Sequence, residues 1–272
     1  MICDFADGRG CSGSWGLRIC ALLVLAVFCW QPAPVWAEES DPAPAVLTDP
    51  DLFAEDAQSA NGPLNNHVSD PLEPLNRGVF IFNDRLYFWF LKPLAKGYAL
   101  VLPKAVRECA GNFFFNLKTP VRLVNSALQA KFAGSGKEAA RFAVNTTIGV
   151  AGLWDPARSW LKLSPSEEDF GQTLGKYGLG EGPYLCWPII GPANLRDTLG
   201  LVGDYFLDPV SYLSMNGENG EALGLKSEET INATSQRLGD YEAFKEASFD
   251  PYSAMRDSYT QSRRSKINDT GE

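Results

Sequence analysis

Residues 79 to 91 read VFIFNDRLYFWFL, ten apolar residues, six of them aromatic, around the polar triplet Asn83, Asp84 and Arg85. On a helix, Phe80, Asp84 and Phe88 fall on one row with Asn83 and Arg85 alongside. Polar groups then fill part of one turn and apolar groups most of the remaining circumference. The run is too short to cross a bilayer as a helix and very apolar for a surface helix. A core helix of a soluble protein would satisfy it, and the segment taken alone favours that reading. A lipid boundary would also satisfy it, with apolar side chains among acyl chains and Tyr87 or Trp89 near headgroups.

Helix-like segments punctuated by Pro and Gly fill the chain from Asp70 to about Asp208. KPLAKGYALVLP lies between Pro93 and Pro103, and AVRECAGNFFFNLKTP runs from Ala105 to a stop at Pro120. In VRLVNSALQAKF (121–132), Val121, Val124, Leu128 and Phe132 recur at close to three-to-four spacing, predicting an amphipathic helix that ends before Gly134. Another is predicted over KEAARFAVNTTIG, 137–149. Residues 164–192, dense in Gly and Pro, predict a long irregular loop or re-entrant turn packed through Phe170, Tyr177, Tyr184, Trp187 and Ile189. Helices resume at RDTLGLVGDYFLDP and over 227–247, and the lack of sustained alternation makes strands scarce. The pattern predicts a mostly helical body with a short tail after it; the all-α body over 70–262 and the polar tail over 263–272 are what the resemblance described below implies.

The N-terminus changes the setting. Arg9 and Arg18 precede the apolar run ICALLVLAVFCW, residues 19–30, followed by QPAPVWA ending at Ala37. These are the three parts of a secretory signal peptide, placed at 1–37, and its apolar core falls short of a spanning helix. Residues 38–69 read as a flexible acidic linker, because 38–70 holds eight acidic residues and no Lys or Arg. The net charge of −9 therefore belongs to the linker: residues 71–272 carry 23 acidic and 22 basic side chains. Such a body lacks the basic stripe of a nucleic-acid binder. Cleavage leaves Cys109 and Cys186, which could pair in an oxidising compartment or remain thiols. Their spacing offers no metal site.

The single histidine, His67, falls in the linker, which removes His-dependent nucleophilic or metal catalysis from the body. DFG at 169–171 has no kinase companions, GKYGLGEG at 175–182 lacks the Ser or Thr of a phosphate-binding loop, and SWLK at 159–162 lacks the partners of a penicillin-binding enzyme. Glu167, Glu168 and Asp169 could do acid–base work, but more simply form an acidic first turn capped by Ser164 or Ser166. The chain reads as non-enzymatic and needs no cofactor.

Five long stretches resemble one family. DPLEPLNRGVFIFND (70–84), PKAVRECAGNFFFNLKTPVRLVNSALQ (103–129), RFAVNTTIGVAGLWDPA (141–157), EDFGQTLGKYGLGEGPYLCWPIIGPANLRDTLG (168–200) and DPYSAMRDSY (250–259) are similar, in the same order, to the MlaA family, also called VacJ. The resemblance covers about 70–262. It implies a compact helical ring in the inner leaflet of the Gram-negative outer membrane, inserted from the periplasmic side, with an amphipathic channel through it. It further implies removal of mislocalised phospholipid from the outer leaflet, delivery to a periplasmic carrier, and a trimeric porin as neighbour. The same surface could serve a structural scaffold that moves no lipid.

On this reading Phe80, Phe82, Phe88, Trp89 and Phe90 are candidates for membrane contact. Asn83, Asp84 and Arg85 could form a polar channel wall or pair within the molecule. Gly171, Gly175, Gly178, Gly180, Gly182 and Gly191 could shape the channel or simply allow tight packing. Two features depart from the family. Its members are typically lipoproteins, whereas neither LRIC before Cys20 nor AVFC before Cys29 makes the expected small-residue run, and Tyr87 stands where the family commonly has Asp.

Overall fold

The computed structural model describes residues 68–217 and 219–269. The expected signal peptide, nearly all of the expected linker and His67 lie outside the described residues. The linker's last two residues do not. Val68 packs against Tyr184, Cys186 and Tyr252, and the Ser69 carbonyl accepts from the Tyr184 amide at 2.9 Å, so the folded body begins before position 70.

The aromatic segment lies inside one long helical run. Helix α1 (Glu73–Leu86), with Pro74 in its first turn, continues through a π-helical turn (Tyr87–Leu91) into α2 (Lys92–Val101). Leu102 turns extended before Pro103, the conformation favoured for a residue preceding a proline. Helix α3 (Lys104–Leu117) stops short of Pro120, which sits in the first turn of α4 (Thr119–Leu128), where its missing N–H has no helical role. Helix α4 ends at Leu128 and not at Phe132: Ala130 takes a left-handed backbone, φ 59°, and Phe132 opens α5 (Phe132–Thr147).

The expected irregular loop at 164–192 holds regular structure. A short α6 (Pro156–Ser159) precedes it, and α7 (Phe170–Lys176) starts where the Asp169 side chain accepts from the Gln172 amide at 2.8 Å. Asp169 is thus the cap expected of Ser164 or Ser166. Strands β1 (Tyr184–Trp187) and β2 (Gly191–Asn194) form an antiparallel hairpin with Trp187 opposite Gly191. At its tip Ile189 and Gly191 take left-handed backbones, φ 70° and 95°. Short length hid these strands, because four residues cannot show sustained alternation.

The remaining helices are α8 (Leu195–Leu207), α9 (Pro209–Met215), α10 (Asn219–Gln236), α11 (Asp240–Ala247) and α12 (Pro251–Asn268). Gly239, at φ 104°, breaks the helix expected over 227–247. The expected polar tail from 263 is instead helical to Asn268, and Arg263 anchors it to the body. No disulfide joins Cys186, which is buried, to Cys109.

Candidate functional site

The interior is built from polar side chains. Helix α4 and its C-cap bury Arg122, Asn125, Ser126 and Gln129, while Leu128 and Phe132, from the apolar repeat of the expected helix, are 42% and 74% exposed. Helix α5 buries Glu138, Arg141 and Asn145 at the same spacing and exposes Phe142 and Ile148. The predicted periodicity is present, with the polar positions more deeply buried than the apolar ones. Among the described residues, buried polar or charged side chains are more than twice as numerous as buried apolar ones.

A buried charge is tolerated only when paired and hydrogen-bonded, and these are. Arg122 bonds Glu138 at 2.8 Å, Thr119 at 3.0 Å and the Phe115 carbonyl at 2.9 Å. Arg141 bonds Asp155 at 2.7 Å and also the Leu163 carbonyl. The other oxygen of Glu138 accepts from the Ser166 amide at 2.8 Å. Lys131 and Gln129 meet Glu168 at 2.7 and 2.8 Å. The acidic triplet is therefore structural: Glu168 is buried in an ion pair, Asp169 caps α7 and Glu167 pairs with Lys266.

Arg263 joins α12 to this interior by forked bonds to Asp169 and Asp197, with contacts of 2.5 to 2.9 Å. Tyr259 adds a bond to Asp197 at 2.6 Å. Burial would raise both carboxyls, but the Arg263 bonds outweigh it and hold them below the usual carboxylate range. Asp204 differs. It accepts only from Asn125 and the Phe170 amide, and burial, with Asp169 nearby, pushes its carboxyl up to about 6.

Against these networks lies a cavity of about 1090 Å³, walled by Phe115, Arg122, Arg141, Asp204, Tyr205 and Lys226 among others. A smaller one of about 570 Å³ adjoins it through Asn112, Asp155 and Arg158, which line both. No group of His, Cys, Asp and Glu among the described residues could hold a metal ion.

The structure divides the expected site residues. Phe82, Trp89 and Phe90 are exposed at 51%, 74% and 64%. Phe80 turns inward, edge-on to Tyr252 at 5.8 Å, and Phe88 lies beneath Lys92 and Lys245, whose ammonium groups are 5.1 and 4.9 Å from its ring. The polar triplet is engaged within the molecule. Asn83 holds the hairpin by donating to the Trp187 carbonyl at 2.9 Å and accepting from the Ile189 amide at 2.8 Å. Asp84 accepts from Lys245 at 2.6 Å and Tyr241 at 3.0 Å, and Arg85 lies over Trp89. None of the three lines either cavity.

Three of the glycines serve close packing, Gly182 because its Cβ would meet Leu195 Cβ at 2.9 Å. A Cβ on Gly171 would meet Asp197 Oδ1 at 2.6 Å, and one on Gly175 would meet Ile267 Cδ1 at 2.7 Å. Gly178, Gly182 and Gly191 take left-handed backbones, and Gly180 has open space around its Cα. The cavity-lining charges of α4, α5 and α8 were missed in the sequence. Their signal was present as Arg, Asn, Glu and Asp at helical spacing, opposite the apolar stripe.

The body is helical, with a paired polar interior, a large charged cavity and an exterior on which Trp, Phe, Leu and Ile are exposed, a surface of the kind that marks contact with a membrane or another protein. Among the described residues no helix is long and apolar enough to cross a membrane. The chain belongs to the MlaA lipoprotein family, whose model matches residues 68–266. It is 35% identical over 196 residues to the intermembrane phospholipid transport system lipoprotein MlaA of Escherichia coli, covering 71% of this chain and 76% of that one. An uncharacterised Rickettsia felis protein is 36% identical, over 78% of this chain and 85% of its own length. A solved structure described as the structural basis for maintenance of bacterial outer membrane lipid asymmetry matches with a TM-score of 0.61 at 33% identity, over 74% of this chain and all of that one.

Proposed function

We propose that this protein of the bacterial envelope transports phospholipid between membranes and so maintains outer-membrane lipid asymmetry. The observation that carries this reading is the cavity of about 1090 Å³ with charged walls inside an apolar exterior. A phospholipid has a charged head and two acyl tails. Moving it out of a leaflet requires a polar path for the head beside a surface that tails can tolerate. No bond need be made or broken, which suits the use of the interior carboxylates in pairing and capping.

On this reading the body lies in the inner leaflet of the outer membrane, entered from the periplasm. Phe82, Trp89 and Phe90 face acyl chains, and Phe80 and Phe88 fasten α1 and the π-helical turn after it from within. A periplasmic carrier receives the lipid, and a trimeric porin is the neighbour. The glycines of 171–191 set the cavity's shape by allowing α7, α8 and α12 to pack closely.

A photocrosslinker at Tyr205, on the cavity wall, tests this in an Escherichia coli strain whose own relative has been replaced by this chain. Labelled phospholipid captured at Tyr205, with outer-leaflet phospholipid kept low, is the expected result. Crosslinks to protein alone, with outer-leaflet phospholipid raised, would overturn it in favour of a scaffold.

A further inference from the structure

We infer that Arg158 and Lys162 form a binding site for the phosphate of a phospholipid at the mouth of the cavity, an inference that rests on the transport reading. Most cations on the cavity walls are already matched: Arg122 with Glu138, Arg141 with Asp155, Lys118 with Glu229, Lys226 with Asp208 and Lys266 with Glu167. Arg158 and Lys162 are exposed, share the smaller cavity of about 570 Å³, and take part in no ion pair among the described residues. Arg237, the other unmatched cation, stands separately on the wall of the larger cavity.

The surroundings suit a phosphodiester. Ser164 and Asn112 line the same cavity and supply neutral donors beside the two cations, Asn112 keeping one amide proton beyond its 3.4 Å contact to the Leu153 carbonyl, whereas the Ser159 hydroxyl donates to the Asp155 carbonyl at 2.9 Å. Asp155 also lines it, but its carboxylate is held by Arg141, Asn145 and the Arg158 amide, so its charge is matched from within. Trp154 and Trp160 stand edge to face at 4.8 Å, 47% and 58% exposed. Tryptophan, apolar in body and polar at one edge, favours the level where headgroups meet acyl chains. Because Asn112, Asp155 and Arg158 line both cavities, a phosphate held here would sit at the entrance to the larger one.

Lys162 has a left-handed backbone, φ 53°, a conformation that strains an L-residue and that glycine adopts freely. A merely structural position would gain from glycine. Lys162→Gly should therefore raise Tm while lowering lipid capture, a pairing that a structural role would not produce.

The test uses the full chain in detergent with a photoactivatable phosphatidylglycerol. Label should map to residues 154–164 and fall about tenfold when Arg158→Gln is combined with Lys162→Gly, as two charge-assisted contacts are lost. Unlabelled phosphatidylglycerol should compete; diacylglycerol, which lacks the phosphate, should not. Undiminished mouth labelling in the double variant, or competition by diacylglycerol, would overturn the site and leave transport standing. Displacement by inorganic phosphate as readily as by lipid would make it a free-anion site, overturning the lipid assignment. Absence of phospholipid capture anywhere in the wild-type protein would overturn the transport reading and the site together.

Discussion

Two interiors of this molecule are buried by opposite means. Where β1 leans on α1 and α12, Tyr184, Cys186 and Tyr252 form an aromatic cluster with Phe80 and Tyr259 against it. Where α4 and α5 meet the 155–168 segment, the buried groups are Arg122, Glu138, Arg141 and Asn145. The first gains stability from apolar area removed from water. The second gains little net stability, because each charge gives back in lost hydration much of what its partner supplies. Yet the charged interior adjoins the cavity, with Arg122 and Arg141 on the wall. On the transport reading proposed above, the contrast assigns fold strength to one half of the core and the lipid path to the other, and substitutions should separate them.

The sharpest break should come at Glu138, fully buried and bonded to Arg122 and the Ser166 amide. Glu138→Ala leaves the buried Arg122 without its carboxylate, while Arg141 keeps Asp155, and should cost about 3–5 kcal/mol, read by denaturant or thermal unfolding in detergent. A loss below about 1 kcal/mol would mean that the charged interior is hydrated enough to forgive a missing partner. On the aromatic side, Phe80→Ala should cost about 2–3 kcal/mol, below the usual figure for a fully buried Phe because the ring is half-buried. It should leave lipid capture at Tyr205 intact in the protein that folds. Loss of capture at full stability would erase the proposed separation.

Gly171→Ala probes the seam between the halves. Its Cβ would crowd Asp197 and Arg263, and Gly200 packs close against the Gly171 backbone. Overpacking of this kind should cost about 1–3 kcal/mol. Unchanged stability would mean that α7 and α8 can part to accommodate the methyl group.

How much of this was legible follows the same divide. Pro103 marked the end of α2 because proline acts locally, whereas Pro93, expected to bound it, lies in its first turn within one continuous helical run. The stripe Val121, Val124, Leu128 correctly marked α4 as amphipathic. Periodicity, however, reports that a helix has two faces and not which one points inward; the choice depends on the solvent, and here the polar face won. The partners of Asn83 and Asp84 lie more than a hundred residues away in sequence, at Trp187 and Lys245. No local pattern could supply them. Arg263 looked like the start of a tail because its polar neighbours hide a residue that fixes α12 to α7 and α8.

The smallest effect is expected at Asp204, the one interior carboxylate on the cavity wall with a markedly raised pKa. Folding raises it to about 6, chiefly through burial, with Asp169 adding repulsion and Arg263 opposing. Between an unfolded value of about 4 and that folded value, the folded state holds the proton more tightly. This group's contribution is therefore fully present below about 4 and is lost as pH rises through about 6. Asp169 and Asp197, with lowered pKa values, act in the opposite sense and lose stability as pH falls. The wild-type curve alone would mix the two, so the readout is the difference between wild type and Asp204→Asn, which keeps the shape and removes the titration. From pH 4.5 to 7.5 the wild type should fall relative to the variant by about 1 kcal/mol, after discounting for water in the cavity. A difference that stays flat would mean that the cavity hydrates Asp204 as fully as bulk solvent, making the wall wetter than the paired interior behind it.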